Sequence, residues 1–174
     1  MNKLKRIISK SNADPEKKVC NSIIFTTNEE YEQKLCKTEH NFYAFSSEQL
    51  KKWDEEEYER PENYFILPDN EIPIWINFDV VIVQHKLGQY AAGRQVSELL
   101  ELPLIVVEHS MPRVISKMEQ QLDQLKAMRG DLNIFTSQEC AEAWDIEGSY
   151  VLNSEPEEDF VAQWQVLLEQ FYER

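Results

Sequence analysis

Two dipeptides carry the side chains in this chain best suited to acid–base chemistry. Gln84-His85 follows the apolar run Val80–Val83, and Glu108-His109 follows the apolar run Leu104–Val107. An imidazole exchanges a proton near neutral pH, and a carboxylate can orient it or share the work. By residue type, His109 and Glu108 are the candidate catalytic pair. Neighbours on an extended segment point to opposite sides, so the two are not expected to form one hydrogen-bonded dyad. One would face a crevice while the other fixes the loop. The plainer alternative, a loop histidine satisfied by backbone groups, stands beside this reading for both His109 and His85. His40 precedes a strand-like run and is read as structural. The three histidines show no metal-ligand spacing such as HxxxH.

Further polar residues lie at equivalent places. Thr26, Thr27, Asn28 and Glu29 follow the run Ser22–Thr26. Lys86, Gly88 and Gln89 follow His85, Ser110 follows His109, and Ser137 and Gln138 follow Leu132–Thr136. The candidate substrate-binding set is Thr27, Glu29, Gln84, His85, Gly88, Gln89 and Ser137, because polar groups that converge at a crevice are what a ligand site needs. Gly88 and Gly93 would let a ligand approach the backbone closely.

The elements that must position these groups alternate. Strands are expected at Ser22–Thr26, Phe42–Phe45, Tyr64–Leu67, Asp79–Val83, Leu104–Val107, Leu132–Thr136 and Ser149–Leu152. Helices are expected from Thr27 or Asn28 to Leu35, over Glu48–Trp53, Gly88–Leu100, Pro112–Met128, from Ser137 toward Trp144, and over Asp159–Tyr172. The runs at Val80 and Leu104 are continuous rather than alternating, which favours central parallel strands covered on both sides. The expected fold is α/β: a single Rossmann-like, doubly wound, mostly parallel sheet with helices on both faces. In such sheets ligands bind outside the carboxyl ends of the strands.

The chain has 174 residues and 42% hydrophobic content, which suits one domain over residues 19–174. Residues 1–18 are basic and read as a loose tail. A net charge of −14 argues against a nucleic-acid partner, whose phosphates need Lys and Arg. The acid clusters at Asp54–Glu57 and Glu155–Asp159, which read as solvated runs. No apolar stretch is long enough for a membrane span, and the N-terminus lacks an apolar signal core, so a cytoplasmic protein is expected. The three cysteines are widely spaced, with no CxxC pair to indicate zinc or a disulfide framework. With four glycines and no GxGxxG, GxxxxGK[ST] or GxSxG motif, no cofactor is expected. The four tryptophans, Trp53, Trp75, Trp144 and Trp164, read as packing residues.

Three segments, Ile23–Phe45, Phe78–Pro112 and Leu132–Trp144, in this order and with the Gln-rich loop, Glu-His, Pro and Thr-Ser pieces they carry, resemble the N-terminal lobe of GT-B glycosyltransferases of the retaining, family-4-like group. The resemblance covers most of residues 22–152. It implies a lobe that contributes mainly to acceptor binding. In that family a second lobe holds most of the nucleotide-sugar site. Val151–Phe160 looks like the point where the family's chain crosses into that lobe; here a single helix is expected instead. Glu39 departs from the family's pattern, which has glycine before the histidine.

The expectation is therefore a glycosyltransferase-like acceptor lobe, inactive alone, that takes a sugar or nucleotide-sugar ligand and works with a partner chain, a second lobe in trans or a homodimer. Two alternatives stand beside it: a non-catalytic acidic binding protein that regulates or inhibits a host protein, and a small-ligand binder on the same fold.

Overall fold

The computed structural model describes residues 19–115 and 118–172; the basic segment 1–18 lies outside them. Seven strands, all paired in parallel, form one sheet in the order β3-β2-β1-β4-β5-β6-β7. They are β1 Asn21–Ile24, β2 Asn41–Ala44, β3 Tyr64–Ile66, β4 Val80–Val83, β5 Leu104–Glu108, β6 Leu132–Phe135 and β7 Tyr150–Val151. Every residue of β4 and β5 is buried, as continuous apolar runs in the middle of a two-sided sheet require. The described helices are α1 Glu29–Leu35, α2 Lys86–Leu100, α3 Pro112–Ile115, α4 Glu119–Ala127, α5 Gln138–Trp144 and α6 Glu157–Tyr172. The Rossmann-like α/β class expected from the sequence is the observed one.

The core is built in layers on this sheet. On one face Tyr31 and Leu35 of α1 pack with Phe160, Trp164 and Leu168 of α6 over Ile24, Ile82 and Ile105. On the other, Val96 of α2 packs over Ile23, Val81, Val83, Leu104 and Val106. A third cluster joins Leu122 and Leu125 of α4 and Trp144 of α5 to Phe135. Helix α2 lies close to β4 because Gly93 carries no side chain: a Cβ there would stand 2.1 Å from Val83 Cγ1.

Three local expectations differ from the structure. Glu48–Trp53 is a short turn followed by irregular chain, because its residues are drawn to separate partners: Lys51 to Glu29, Lys52 to Asp69, and the Trp53 indole to the Tyr58 carbonyl. Such tertiary contacts override a weak local helix preference. The single helix expected over Pro112–Met128 is divided into α3 and α4, and Met118 at the start of α4 is extended and exposed. Trp75 does not pack in the core; with Ile74 it stands on the crossover from β3 to β4, 78% and 80% exposed.

Candidate functional site at the carboxyl ends of the central strands

Strands β1 and β4 are neighbours, and the chain winds outward from them in both directions. That junction is the topological switch point, where an open parallel sheet leaves a crevice above its strands. Beneath it lies a buried polar network centred on Glu32 of α1. Glu32 Oε1 accepts the backbone N–H groups of Thr27 at 2.7 Å and Asn28 at 3.1 Å and the side-chain amide of Gln84 at 2.6 Å. Its Oε2 accepts the Tyr64 hydroxyl at 2.6 Å, and that hydroxyl is 2.8 Å from Thr26 Oγ1. Burial pushes the Glu32 carboxyl up, and its four hydrogen bonds hold it back. Burial also raises the Tyr64 phenol well above its ordinary value, so the phenol stays protonated.

Gln84 joins this network to the next strand. Its carboxamide oxygen lies 3.3 Å from His109 Nε2, and its backbone N–H donates to Gln89 Oε1 at 3.0 Å. Gln89 in turn donates to the Thr26 carbonyl at 3.2 Å and to Thr27 Oγ1. The His109 ring meets the Tyr31 ring edge-on at 4.6 Å, and the Trp164 indole donates to the Tyr31 hydroxyl at 3.1 Å. Burial, helped by the nearby His85, lowers the His109 imidazole to about 4, so it is neutral at pH 7.

The second pairing crosses the same two strand ends. His85 Nε2 is 4.0 Å from Glu108 Oε1, and His85 Nδ1 accepts the Leu87 N–H at 3.1 Å, capping α2. Glu108 is fully buried and accepts the N–H groups of Lys86 at 3.2 Å and Ser110 at 3.1 Å. Lys86 is buried beside it. Its ammonium donates to the Met128 carbonyl and lies 5.2 Å from the centroid of the Trp144 ring. Desolvation lowers Lys86 to about 8, partly offset by Glu108.

Gln84, His85, Glu108 and His109 therefore lie together, in two crossed pairs. Gln84 and Glu108 form a fully buried floor, and the two half-buried imidazoles stand above it. Glu108 and His109 take different partners, as their extended backbone dictates. Thr27, Gln89 and Gly88 lie at the same end; Gly88 has φ +92, open space beside it, and marks the kink where α2 begins. Glu29 is 4% exposed: Lys51 holds Oε2 at 2.5 Å, while Oε1 is buried without a hydrogen-bond partner among the described residues. Ser137 is taken by its own helix, accepting the Cys140 N–H at 3.1 Å. His40 belongs to the opposite end of β1, where Nδ1 accepts the Cys20 N–H at 3.1 Å, as a structural histidine would.

Sequence reasoning missed Glu32, Tyr64 and Tyr31. Glu32 left a local signal, an acid four residues after Asn28 that reaches back over the start of α1 in the manner of a capping box. Tyr64 left none, because its place depends on β3 pairing with β2.

Two surface depressions flank α5. One, of about 660 Å³, is lined by Arg129, Gln138, Glu142, Asp145 and Ile146 among others. The other, of about 480 Å³, lies against Met111, Arg113, Leu122 and Lys126. Neither is lined by the crossed pairs. Among the described residues no group of three or more His, Cys, Asp or Glu side chains could hold a metal ion. No described helix is long and apolar enough to cross a membrane.

Fold and site together define an all-parallel, Rossmann-like α/β protein with a histidine-bearing rim at the switch point of its sheet. Comparison of the chain with protein-family models, with curated proteins and with solved structures gives no match.

Proposed function

We propose that this chain is an acceptor-side lobe of a GT-B-like sugar-transfer system, binding a hydroxyl-rich ligand at the rim formed by Thr27, His85, Gly88 and His109. In this reading a second lobe, in another chain or another copy, holds the nucleotide sugar. One observation carries it. The loops after β4 and β5 are tied together by Gln84–His109 at 3.3 Å and His85–Glu108 at 4.0 Å, leaving two half-buried imidazoles over a satisfied polar floor. A neutral imidazole accepts or donates one hydrogen bond to a hydroxyl without adding charge. The rim also lies at the switch point, where parallel sheets bind ligands. In such a complex His109 would accept a hydrogen bond from an acceptor hydroxyl, and His85, held beside Glu108, would help orient it.

The test is a nuclear magnetic resonance titration of the full chain with methyl glycosides and, separately, with nucleotide sugars, following the imidazole signals of His85 and His109. Saturable shifts of both with glycosides support the reading; shifts with nucleotide sugars alone would place the donor on this rim and overturn it. Unmoved imidazoles at millimolar concentrations of every compound sink it.

A second reading rests on a different feature. Ile74 and Trp75 are exposed side by side on a surface loop. Exposed tryptophan is the residue type that most often anchors protein interfaces, so a binding protein with no turnover of its own is the alternative. Retained sugar affinity in Trp75→Ala, with loss of affinity in His109→Ala, separates the first reading from this one.

A further inference from the structure

We infer that Glu32 is a positioning residue: through Gln84 it fixes the proton of His109 on Nε2 and leaves Nδ1 as the atom that meets a ligand hydroxyl. The inference deepens the acceptor-site reading and rests on it only for the identity of the ligand.

The argument is an accounting of donors. Glu32 Oε1 is met by the backbone N–H groups of Thr27 and Asn28, at 2.7 and 3.1 Å. A backbone N–H can only donate. Oε1 is therefore an acceptor whatever the charge on Glu32. If the carboxyl takes up a proton, the proton goes to Oε2. The Tyr64 hydroxyl can accept it there at 2.6 Å and turn its own hydrogen toward Thr26 Oγ1 at 2.8 Å. In both states the Gln84 group 2.6 Å from Oε1 must be the NH₂ end of the carboxamide. The same nitrogen faces a second acceptor, the Phe25 carbonyl, at 3.4 Å. A flipped amide would set oxygen against two acceptors.

With the nitrogen committed, the Gln84 oxygen is the atom 3.3 Å from His109 Nε2. An oxygen there needs a donor, so Nε2 carries the hydrogen. A neutral imidazole holds one hydrogen, and the second nitrogen, Nδ1, keeps its lone pair. The fully buried positions of Glu32 and Gln84 make the arrangement rigid, since neither can exchange its partner for water. Gln89 clamps the backbone of Gln84 from the other side. Glu32 never reaches the rim, so its effect on a ligand runs through two side chains.

The experiment uses the full chain labelled with ¹⁵N histidine. Long-range proton–nitrogen correlation identifies the protonated nitrogen of His109, and solvent exchange of that proton reports its protection. Wild type is expected to show one tautomer, protonated on Nε2. Glu32→Ala frees the Gln84 amide to turn. It is expected to give mixed tautomers and faster exchange, by about tenfold, the weight of one hydrogen bond to a charged group. Glu32→Gln keeps an oxygen facing Thr27, Asn28 and Gln84 and is expected to restore the wild-type signature. A proton on Nδ1 in wild type or in Glu32→Gln overturns the inference. So does a folded Glu32→Ala whose tautomer and exchange are unchanged. If Glu32→Ala does not fold, the other two proteins decide. Because no ligand is added, a correct tautomer with no sugar binding defeats only the acceptor reading, and a wrong tautomer with sugar binding defeats only the present one.

Discussion

The Lys86 ammonium stands over the ring of Trp144, 5.2 Å from its centroid. This contact joins the end of β4 to α5, and the hydrogen bond from the same ammonium to the Met128 carbonyl ties in the end of α4. A positive charge at a helix carboxyl end and over an indole face is favoured locally. Burial outweighs those gains and lowers Lys86 to about 8. The folded protein thus binds this proton less tightly than the unfolded chain, whose lysine titrates near the ordinary 10.5.

The sign of the pH dependence follows. Between about pH 8 and 10.5 the unfolded chain carries the proton and the folded protein does not, so this group makes stability rise with pH across that window. The size is about 3 kcal/mol as an upper figure, at roughly 1.4 kcal/mol per pH unit. Lys86→Met should lose this rise and be less stable at pH 7, because it leaves the buried Glu108 without its cationic neighbour and the Met128 carbonyl without its donor. Urea denaturation of both proteins from pH 7 to 10.5 gives the difference; parallel curves would refute the assignment.

His109 acts in the acid range. Its imidazole is lowered to about 4, against an ordinary value of 6.5. From pH 6.5 down to 4 the unfolded histidine takes up a proton that the folded one refuses, so this group makes stability fall as pH falls. Glu32, raised by burial, works in the opposite direction. The clean quantity is therefore wild type minus His109→Gln. That difference should move against wild type by up to about 3 kcal/mol between pH 6.5 and 4. A difference that stays constant with pH would show that His109 titrates normally.

The parts of this architecture that could be read from the sequence are those set by local pattern. Val80–Val83 and Leu104–Val107 are uninterrupted apolar runs, and such runs have few places to lie other than the middle of a parallel sheet. Once they are central, Gln84, His85, Glu108 and His109 must share one end. The pattern could not show that Gln84 and Glu108 are sealed beneath that end. Their burial depends on partners from distant elements: Gln84 donates to Glu32 of α1, and Glu108 accepts the Lys86 N–H from the chain after β4. Tyr64 reaches Glu32 only because β3 pairs beside β2, a non-local choice. The expectation of one helix over Pro112–Met128 failed for the same kind of reason. Leu122 and Leu125 are buried, but the backbone is extended at Met118, so the segment is not one helix.

Gly93 offers a test of close packing. An added Cβ would lie 2.1 Å from Val83 Cγ1, well inside contact distance. Alanine gains up to about 1 kcal/mol of helix preference over glycine, while overpacking costs about 1–3 kcal/mol. The clash should win, and Gly93→Ala should destabilise by about 1–2 kcal/mol in chemical denaturation. Combined with Val83→Ala, which removes the opposing methyl groups, the pair should cost less than the sum of the single changes. Additive costs would mean that α2 shifts away from β4 instead of straining against Val83.

Trp75 gives a prediction that needs no ligand. It is 78% exposed, whereas Trp53, Trp144 and Trp164 are 6%, 0% and 0% exposed. Iodide quenches indole fluorescence by collision, so one tryptophan of the four should be readily quenched in the folded protein. Trp75→Phe should abolish the quenchable component and shift the remaining emission to shorter wavelength. Its stability should stay within about 0.5 kcal/mol of wild type, as for surface changes that leave no cavity. Buried tryptophans that quench as readily after the substitution would mean that the layers over Phe160 and Phe135 open in solution. A large loss of stability would mean that the crossover from β3 to β4 is held by Trp75 itself. With neither effect, Ile74 and Trp75 are an apolar pair that the fold does not need, which is the property an interface anchor must have.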